Sequence, residues 1–253
     1  TLDTTFDSDG WAAVGYGSAD DRGYSVTIDS SGKILIGGSV NANVGVFRLT
    51  STGALDSAFS GDGGFNALAG SDENIIRDLT ISSNGKITAV GQASNGADTD
   101  FMLMRLASDG TLDTGFGSGG VVMTSFGSGD DKAGEVIEGS DGKLTVAGYA
   151  SNGSNADFAV ARYTSSGALD TSFGSSGKTV TDFGSGDDTG PTASALYDGQ
   201  VLVAGYSNNG SNDDFALARY DSSGVLDDGL DTVITGLTNG TAYTFTVTAT
   251  NDR

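Results

Sequence analysis

The stretch DGQVLVAGYSNNGSNDDFALARYDSSGVLD, residues 198–227, carries the reading that decides the fold. Asp198-Gly199 is a turn dipeptide, suited to the positive φ of a two-residue hairpin. The apolar run Val201–Ser207 follows it, then the polar loop around Asn209 and Asp213. In the next run, Phe215, Leu217 and Arg219 alternate with Ala216, Ala218 and Tyr220. A period of two places these sets on opposite faces of a β-strand. No segment of the chain carries a helical period.

Working outward, the same pattern recurs. Leu-Asp-x-x-Phe stands at Leu2, Asp3 and Phe6, at Leu55, Asp56 and Phe59, at Leu112, Asp113 and Phe116, and at Leu169, Asp170 and Phe173. A further copy begins at Leu226-Asp227 but has Leu230 in place of Phe. Arg48, Arg105, Arg162 and Arg219 follow one another at intervals of 57 residues. The modules are therefore 1–53, 54–110, 111–167 and 168–224, the first four residues shorter through a gap between Val40 and Val44.

Each module is expected to hold four strands. The first is Trp11–Gly17, Gly64–Gly70, Val121–Gly127 or Thr179–Gly184, and the second Gly23–Asp29, Ile75–Ser82, Gly134–Gly139 or Ala193–Tyr197. After a turn at Ser31-Gly32, Asn84-Gly85, Asp141-Gly142 or Asp198-Gly199 come the third and fourth. Four short antiparallel strands per unit of this length point to an all-β fold, a β-propeller-like array of four four-stranded antiparallel blades. One such sheet cannot cover both its faces, and radial stacking does so. A linear β-solenoid has shorter turns than this period.

Composition narrows the chemistry. The 253 residues include 41 glycines and one proline, with 37% hydrophobic and 18% charged residues. Thirty-three acids against twelve bases give a net charge of −21, which repels nucleic acid and anionic membranes and attracts cations. The chain has no cysteine and no histidine, which excludes disulfides, thiolate nucleophiles, Ser-His-Asp chemistry and ordinary zinc sites. No apolar run is long enough to span a bilayer, so direct membrane insertion is not expected. The sequence opens at Thr1, inside a repeat motif and with no recognisable signal peptide, which reads as a piece of a larger or processed protein.

The stretches GALDTSFGSSGKTVTDFGSGDD (167–188) and DGQVLVAGYSNNGSNDDFALARYDSSG (198–224) resemble the bacterial delta-60 repeat, a β-propeller type, over residues 1–227. That resemblance implies a large exported or surface protein, with adhesion-type modules nearby, and no catalytic residues to carry over. The tail 228–253 differs. VITGLTNGTAYTFTVTATN (233–251) resembles part of a fibronectin type III domain, with Leu237 and Tyr243 placed as at its tyrosine corner. A full domain of that type needs roughly 100 residues, so this is a partial, two-strand segment.

Acidic pairs mark the turn between the first two strands of each module: Asp20 and Asp21, Asp72 and Glu73, Asp130 and Asp131, Asp187 and Asp188. The loops between strands three and four, with Asp98, Asp100, Asp157, Asp213 and Asp214, belong to the same edge of an up-and-down sheet. Lys33, Lys86 and Lys143 fall on the opposite edge. Calcium takes carboxylate and carbonyl oxygens, so the eight paired acids are its candidate ligands. Turn chemistry alone also accounts for Asp, Asn, Gly and Ser at these places. The repeated arginine is expected to pair with a carboxylate such as the Leu-Asp aspartate, the repeated Phe to wedge between blades, and Trp11 to pack.

No module shows a unique acid cluster or a phosphate loop, and the chain is therefore expected not to be an enzyme. The expected role is a structural or adhesive module of a bacterial extracellular or cell-surface protein. It would act as a rigid scaffold and interaction platform, with a protein, a glycan or a neighbouring copy as partner. Two other readings stand beside it. The strands 231–237 and 241–250 would pair between copies in a self-assembling filament. A glycan-active hydrolase would bring acids from different blades to a central pocket.

Overall fold

The computed structural model describes residues 2–17, 20–71, 74–184, 186–197, 199–227 and 232–234; for 191–197 and 232–234 only the backbone is described. Among these residues, sixteen strands form four four-stranded sheets, each a consecutive antiparallel meander. The first holds β1 (Asp21–Ile28), β2 (Ile34–Val40), β3 (Asn43–Leu49) and β4 (Gly64–Ala67). The second holds β5 (Ile75–Ile81), β6 (Ile87–Ser94), β7 (Thr99–Leu106) and β8 (Val121–Thr124). The third holds β9 (Asp131–Glu138), β10 (Leu144–Ser151), β11 (Ala156–Tyr163) and β12 (Lys178–Thr181). The fourth holds β13 (Asp188–Tyr197), β14 (Gln200–Asn208), β15 (Asp213–Tyr220) and β16 (Thr232–Ile234). No helix among the described residues is long and apolar enough to cross a membrane.

The sheets are cut differently from the sequence copies. Gly64–Gly70 was expected to open the second module, but β4 closes the first sheet by pairing with β3. β8, β12 and β16 likewise close the sheet before them. The connection over residues 50–63 turns tightly at Thr50–Ala54, where Leu55 bridges Leu49, and then runs irregularly before β4 pairs with β3; the period of the sequence does not reveal that return. Trp11–Tyr16, the equivalent stretch of the first copy, forms no strand, and Trp11 is 59% exposed rather than packed. In the tail, Thr232–Ile234 serves the fourth sheet; the remainder of the fibronectin-like segment lies outside the described residues.

The hairpin turns also differ in type. Only the glycines Gly32, Gly85, Gly142 and Gly199 have positive φ; Ser31, Asn84 and Asp141 do not. Gly32 N–H donates to the Asp29 carbonyl and Asp29 N–H to the Lys33 carbonyl, which makes a three-residue loop with a left-handed glycine.

Three apolar cores lie between neighbouring sheets. Alternation along a strand divides its side chains between two of them: Ala89 faces the first core and Val90 the second, Val146 the second and Ala147 the third. The inner strands β1, β5, β9 and β13 contact one another in that order, and among the described residues β1 and β13 share no comparable contact. The first blade shows the consequence. Val26 and Ile28 of β1 are 67% and 64% exposed, whereas Leu79 and Val136, equivalent to Val26, are each 5% exposed beneath a preceding blade.

A repeated lock ties each blade to the next. Arg48 Nε bonds Asp56 Oδ2 at 2.8 Å, and Lys33 Nζ reaches the same oxygen at 2.7 Å. The guanidinium lies 4.7 Å from the centre of the Phe59 ring and donates to the Ser108 carbonyl in the next blade. Arg105, Lys86, Asp113 and Phe116 repeat this onto Ser165, and Arg162, Lys143, Asp170 and Phe173 onto Ser222. The pairing of arginine with the Leu-Asp aspartate is as expected, and Phe59, Phe116 and Phe173 are fully buried. Gly167 stands over the Phe116 ring at positive φ, where a Cβ would come within 2.9 Å of the ring. In the fourth copy Gln200 replaces the lysine, and Arg219 bonds Asp227.

The lock has a sign in pH. The carboxyl of Asp56 is held below its ordinary range chiefly by Lys33, that of Asp113 by Lys86, and that of Asp170 by the Ser172 hydroxyl and then Lys143. Depressed values mean stability that is present above the unfolded carboxylate pKa and lost as pH falls through the folded one. Removing one partner of a buried pair leaves the other charge uncompensated, so Asp170→Asn should cost about 3 kcal/mol in urea unfolding. Asp141→Asn, an exposed acid 3.8 Å from Lys143, should cost less than about 1 kcal/mol in the same measurement.

Candidate functional site

Two regions gather polar side chains that the lock does not use. The first is an axial groove of about 550 Å³, lined by the four inner strands. Its shape comes from β-bulges. The register shifts between Gly23 and Ser25 in β1 and between Ile76 and Asp78 in β5, leaving Tyr24 and Arg77 as the extra residues. A bulge re-aims such side chains, and both line the groove. Opposite each bulge stands a glycine that the geometry requires: a Cβ on Gly38 would come within 1.8 Å of the Arg22 carbonyl oxygen, on Gly91 within 1.9 Å of that of Ile75, and on Gly148 within 2.1 Å of that of Lys132. In β13 the pairing lapses between Thr189 and Ala193, around the single proline, Pro191, which has no N–H to give a ladder.

The groove is chemically mixed. Arg77 lies over the Tyr24 ring at 4.8 Å. Asp78 is a staple across three blades: Ser25 Oγ donates to its Oδ1 at 3.0 Å, and Val136 N–H to its Oδ2 at 3.0 Å. Lys132, Glu135, Gln92 and Tyr149 complete the polar lining. Acids from neighbouring blades, Asp78 and Glu135, thus do reach one central cavity.

The second region follows the acidic turns. The two members of each pair play different parts. Asp130 Oδ1 accepts from Thr99 N–H at 3.0 Å and Asp187 Oδ1 from Ala156 N–H at 2.9 Å, so the first acid pins the loop of the preceding blade. The second acid turns inward. Asp21, Asp131 and Asp188 each accept from the backbone N–H five residues earlier, on Tyr16, Phe126 and Phe183, at 2.6–2.7 Å. Asp131 and Asp188 are fully buried. Asp20 is exposed, with its carboxylate 3.6 Å from Arg22 and its carbonyl accepting from Asn41 N–H at 3.4 Å. Asp72 and Glu73 lie outside the described residues. The spacing of the arginines puts Asn74, not Glu73, in register with Asp131, and Asn74 is fully buried.

Asp157 and Asp182 complete this region, with oxygens gathered near Asp188. Sequence reasoning placed Asp157 in a polar loop without naming it a ligand and passed over Asp182. The available signal was the fixed five-residue step from Phe183 to Asp188, which brings the residue before Phe183 beside the buried acid. Burial raises the carboxyl of Asp188, with Asp182 and Asp187 adding to it, and raises that of Asp157, with Asp182 and Asp188 adding. Burial also pushes Asp131 up to about 6, against the Phe126 N–H and with help from Asp100.

With this geometry in view, comparison with known proteins gives the family. Residues 30–59, 82–116, 139–173 and 198–229, more than half of the chain, match the family described as "Domain of unknown function (DUF5122) beta-propeller". The chain belongs to that family. No curated protein matches the sequence. Among solved structures, this DUF5122 propeller is similar to virginiamycin B lyase from Staphylococcus aureus, at 18% identity over 81% of this chain and 68% of that one, with a TM-score of 0.31. It is also similar to the Cellvibrio cellulosa alpha-L-arabinanase complexed with arabinohexaose, at 10% identity over 81% and 76%, with a TM-score of 0.37. The expectation that the chain is not an enzyme is corrected by these names: both neighbours are enzymes. Even copies and a lack of histidine are no ground for excluding catalysis.

The raised carboxyl of Asp131 has a measurable consequence. A folded value above the unfolded one means that the folded state holds the proton more tightly, so stability is gained as pH falls through about 6 and the charged form is a burden above it. In chelator, the melting temperature should be higher near about pH 5 than near about pH 7.5. Asp131→Asn should reduce that difference, with the raised carboxyls of Asp157 and Asp188 supplying the rest; an unchanged pH profile in thermal melts would count against the assignment.

Proposed function

We propose that this chain is a rigid scaffold and interaction platform of a bacterial extracellular or cell-surface protein, and that its partner binds in the axial groove. One observation carries the reading. The three junction locks are alike, whereas the positions that line the groove differ from blade to blade. In the first three blades the bulge position is Tyr24, Arg77 and Gly134 in turn, and the next position is Ser25, Asp78 and Glu135. Packing alone gives no reason for such variety at one structural position. The delta-60-like motifs, the net charge of −21 and the absence of cysteine are all compatible with an exported protein.

The lining suits a glycan. Tyr24 and Tyr149 offer ring faces and hydroxyls, Arg77 and Lys132 offer donors, and Glu135 offers an acceptor. The test is a panel of bacterial and plant oligosaccharides, followed by calorimetry on the one that binds. Chromatography of the same mixtures reads any cleavage. Arg77→Ala and Tyr149→Ala should each weaken binding at least about tenfold, equal to about 1.4 kcal/mol, with the melting temperature unchanged. Silence across the panel, or full affinity in both variants, would remove the groove as the binding site.

A further inference from the structure

At the junction of the third and fourth blades, carboxylate oxygens of Asp157, Asp182 and Asp188 all lie within 4.8 Å of one another. They come from three separate segments: the start of β11, the residue after β12 and the start of β13. Asp157 and Asp188 are buried, and Asp182 is exposed. Among the described residues no ion pair reaches any of the three. Asp188 Oδ2 takes the Phe183 N–H and the Ser207 hydroxyl acts on the carboxyl to lower its pKa, but Oδ1 is buried without a hydrogen bond of ordinary geometry. Leaving a buried acceptor unsatisfied is costly, and more so in a charged group.

Turn formation does not explain the charge, because the molecule contains its own control. At the junction of the first and second blades the equivalent residues are Asn43, Leu68 and Asn74, all uncharged. There the Asn74 amide donates to the Ala42 carbonyl at 2.9 Å, and its Oδ1 is buried without a partner but carries no charge. The next junction has Asp100, Ser125 and Asp131, where Asp100 Oδ1 and Asp131 Oδ1 are again buried without partners. The same backbone thus accommodates none, two or three carboxylates. The three-acid set also has the span a calcium ion needs, since oxygens at about 2.4 Å from the ion lie at most about 4.8 Å apart.

We infer that Asp157, Asp182 and Asp188 form a calcium site that clamps the fourth blade to the third. The ion takes the orphaned Oδ1 of Asp188 as a ligand, neutralises the three-carboxylate cluster and joins segments of two sheets. Asn152 and Asn155, whose side-chain amides donate to Asp157 at 2.9 and 3.2 Å, hold that carboxylate in place. Asp187 is a positioning residue through its bond to Ala156 N–H. The site is independent of the groove, so failure of either reading leaves the other standing.

The experiment is calcium titration of the full chain after chelator treatment, read by calorimetry and by melting temperature. Saturable binding, a rise in melting temperature and at least tenfold weaker binding of magnesium are expected. Asp188→Asn copies the residue native at position 74, and Asp182→Ser copies the one native at 125. Each should weaken the tightest calcium site at least tenfold, while Asp131→Asn leaves it unchanged. Should Asp188→Asn fail to fold, the exposed Asp182→Ser variant decides. The inference is overturned by a wild-type chain that neither binds calcium nor melts higher with it. It is equally overturned by full affinity in Asp182→Ser, by loss of the tightest site in Asp131→Asn, or by magnesium that matches calcium.

Discussion

The array depends on one largely covered aspartate per junction holding two cations. Asp56, Asp113 and Asp170 each accept from an arginine on the third strand of a sheet and from a lysine beside the hairpin turn. The arginine then covers a buried phenylalanine and reaches a carbonyl of the following blade. Charge desolvation is offset because every partner is supplied locally. Stacked sheets joined only by apolar faces could slide along one another. A directional bond into the next turn fixes the angle at which each blade sits.

The lock and the groove lie at different places in the blade and obey different constraints. The lock is on the edge that carries Lys33, Lys86 and Lys143, and identical chemistry there keeps the spacing regular. The inner strands carry a bulge that withdraws one residue from the ladder, which frees its identity from pairing. A glycine in the neighbouring strand makes room for that departure. Regularity at one place thereby permits variety at the other.

Much of this was legible in the sequence, for identifiable reasons. Arginines at 57-residue intervals and the Leu-Asp-x-x-Phe motif gave the blades and the partner of each arginine, because the lock needs those side chains every time. The allocation of Gly64–Gly70 to a sheet was not legible, since the turn at 50–54 leads into an irregular segment and not straight into β4. Adjacent acids drew notice to Asp72 and Glu73, while the buried position in that copy is Asn74. Burial follows register, not charge. Asp157, Asp182 and Asp188 came together only in three dimensions, because their segments meet across a junction between sheets.

The offset between sequence copies and sheets has a consequence for how such a gene grows. The second, third and fourth copies each supply three strands to their own sheet and the outermost strand to the sheet before it. A duplication or deletion of one whole copy, wherever its breakpoints fall within the period, therefore restores an intact sheet on either side of the join. Unequal recombination between copies changes the number of blades without leaving a strand unmatched inside the array. The length of the array is thus a variable that inheritance can tune in whole steps.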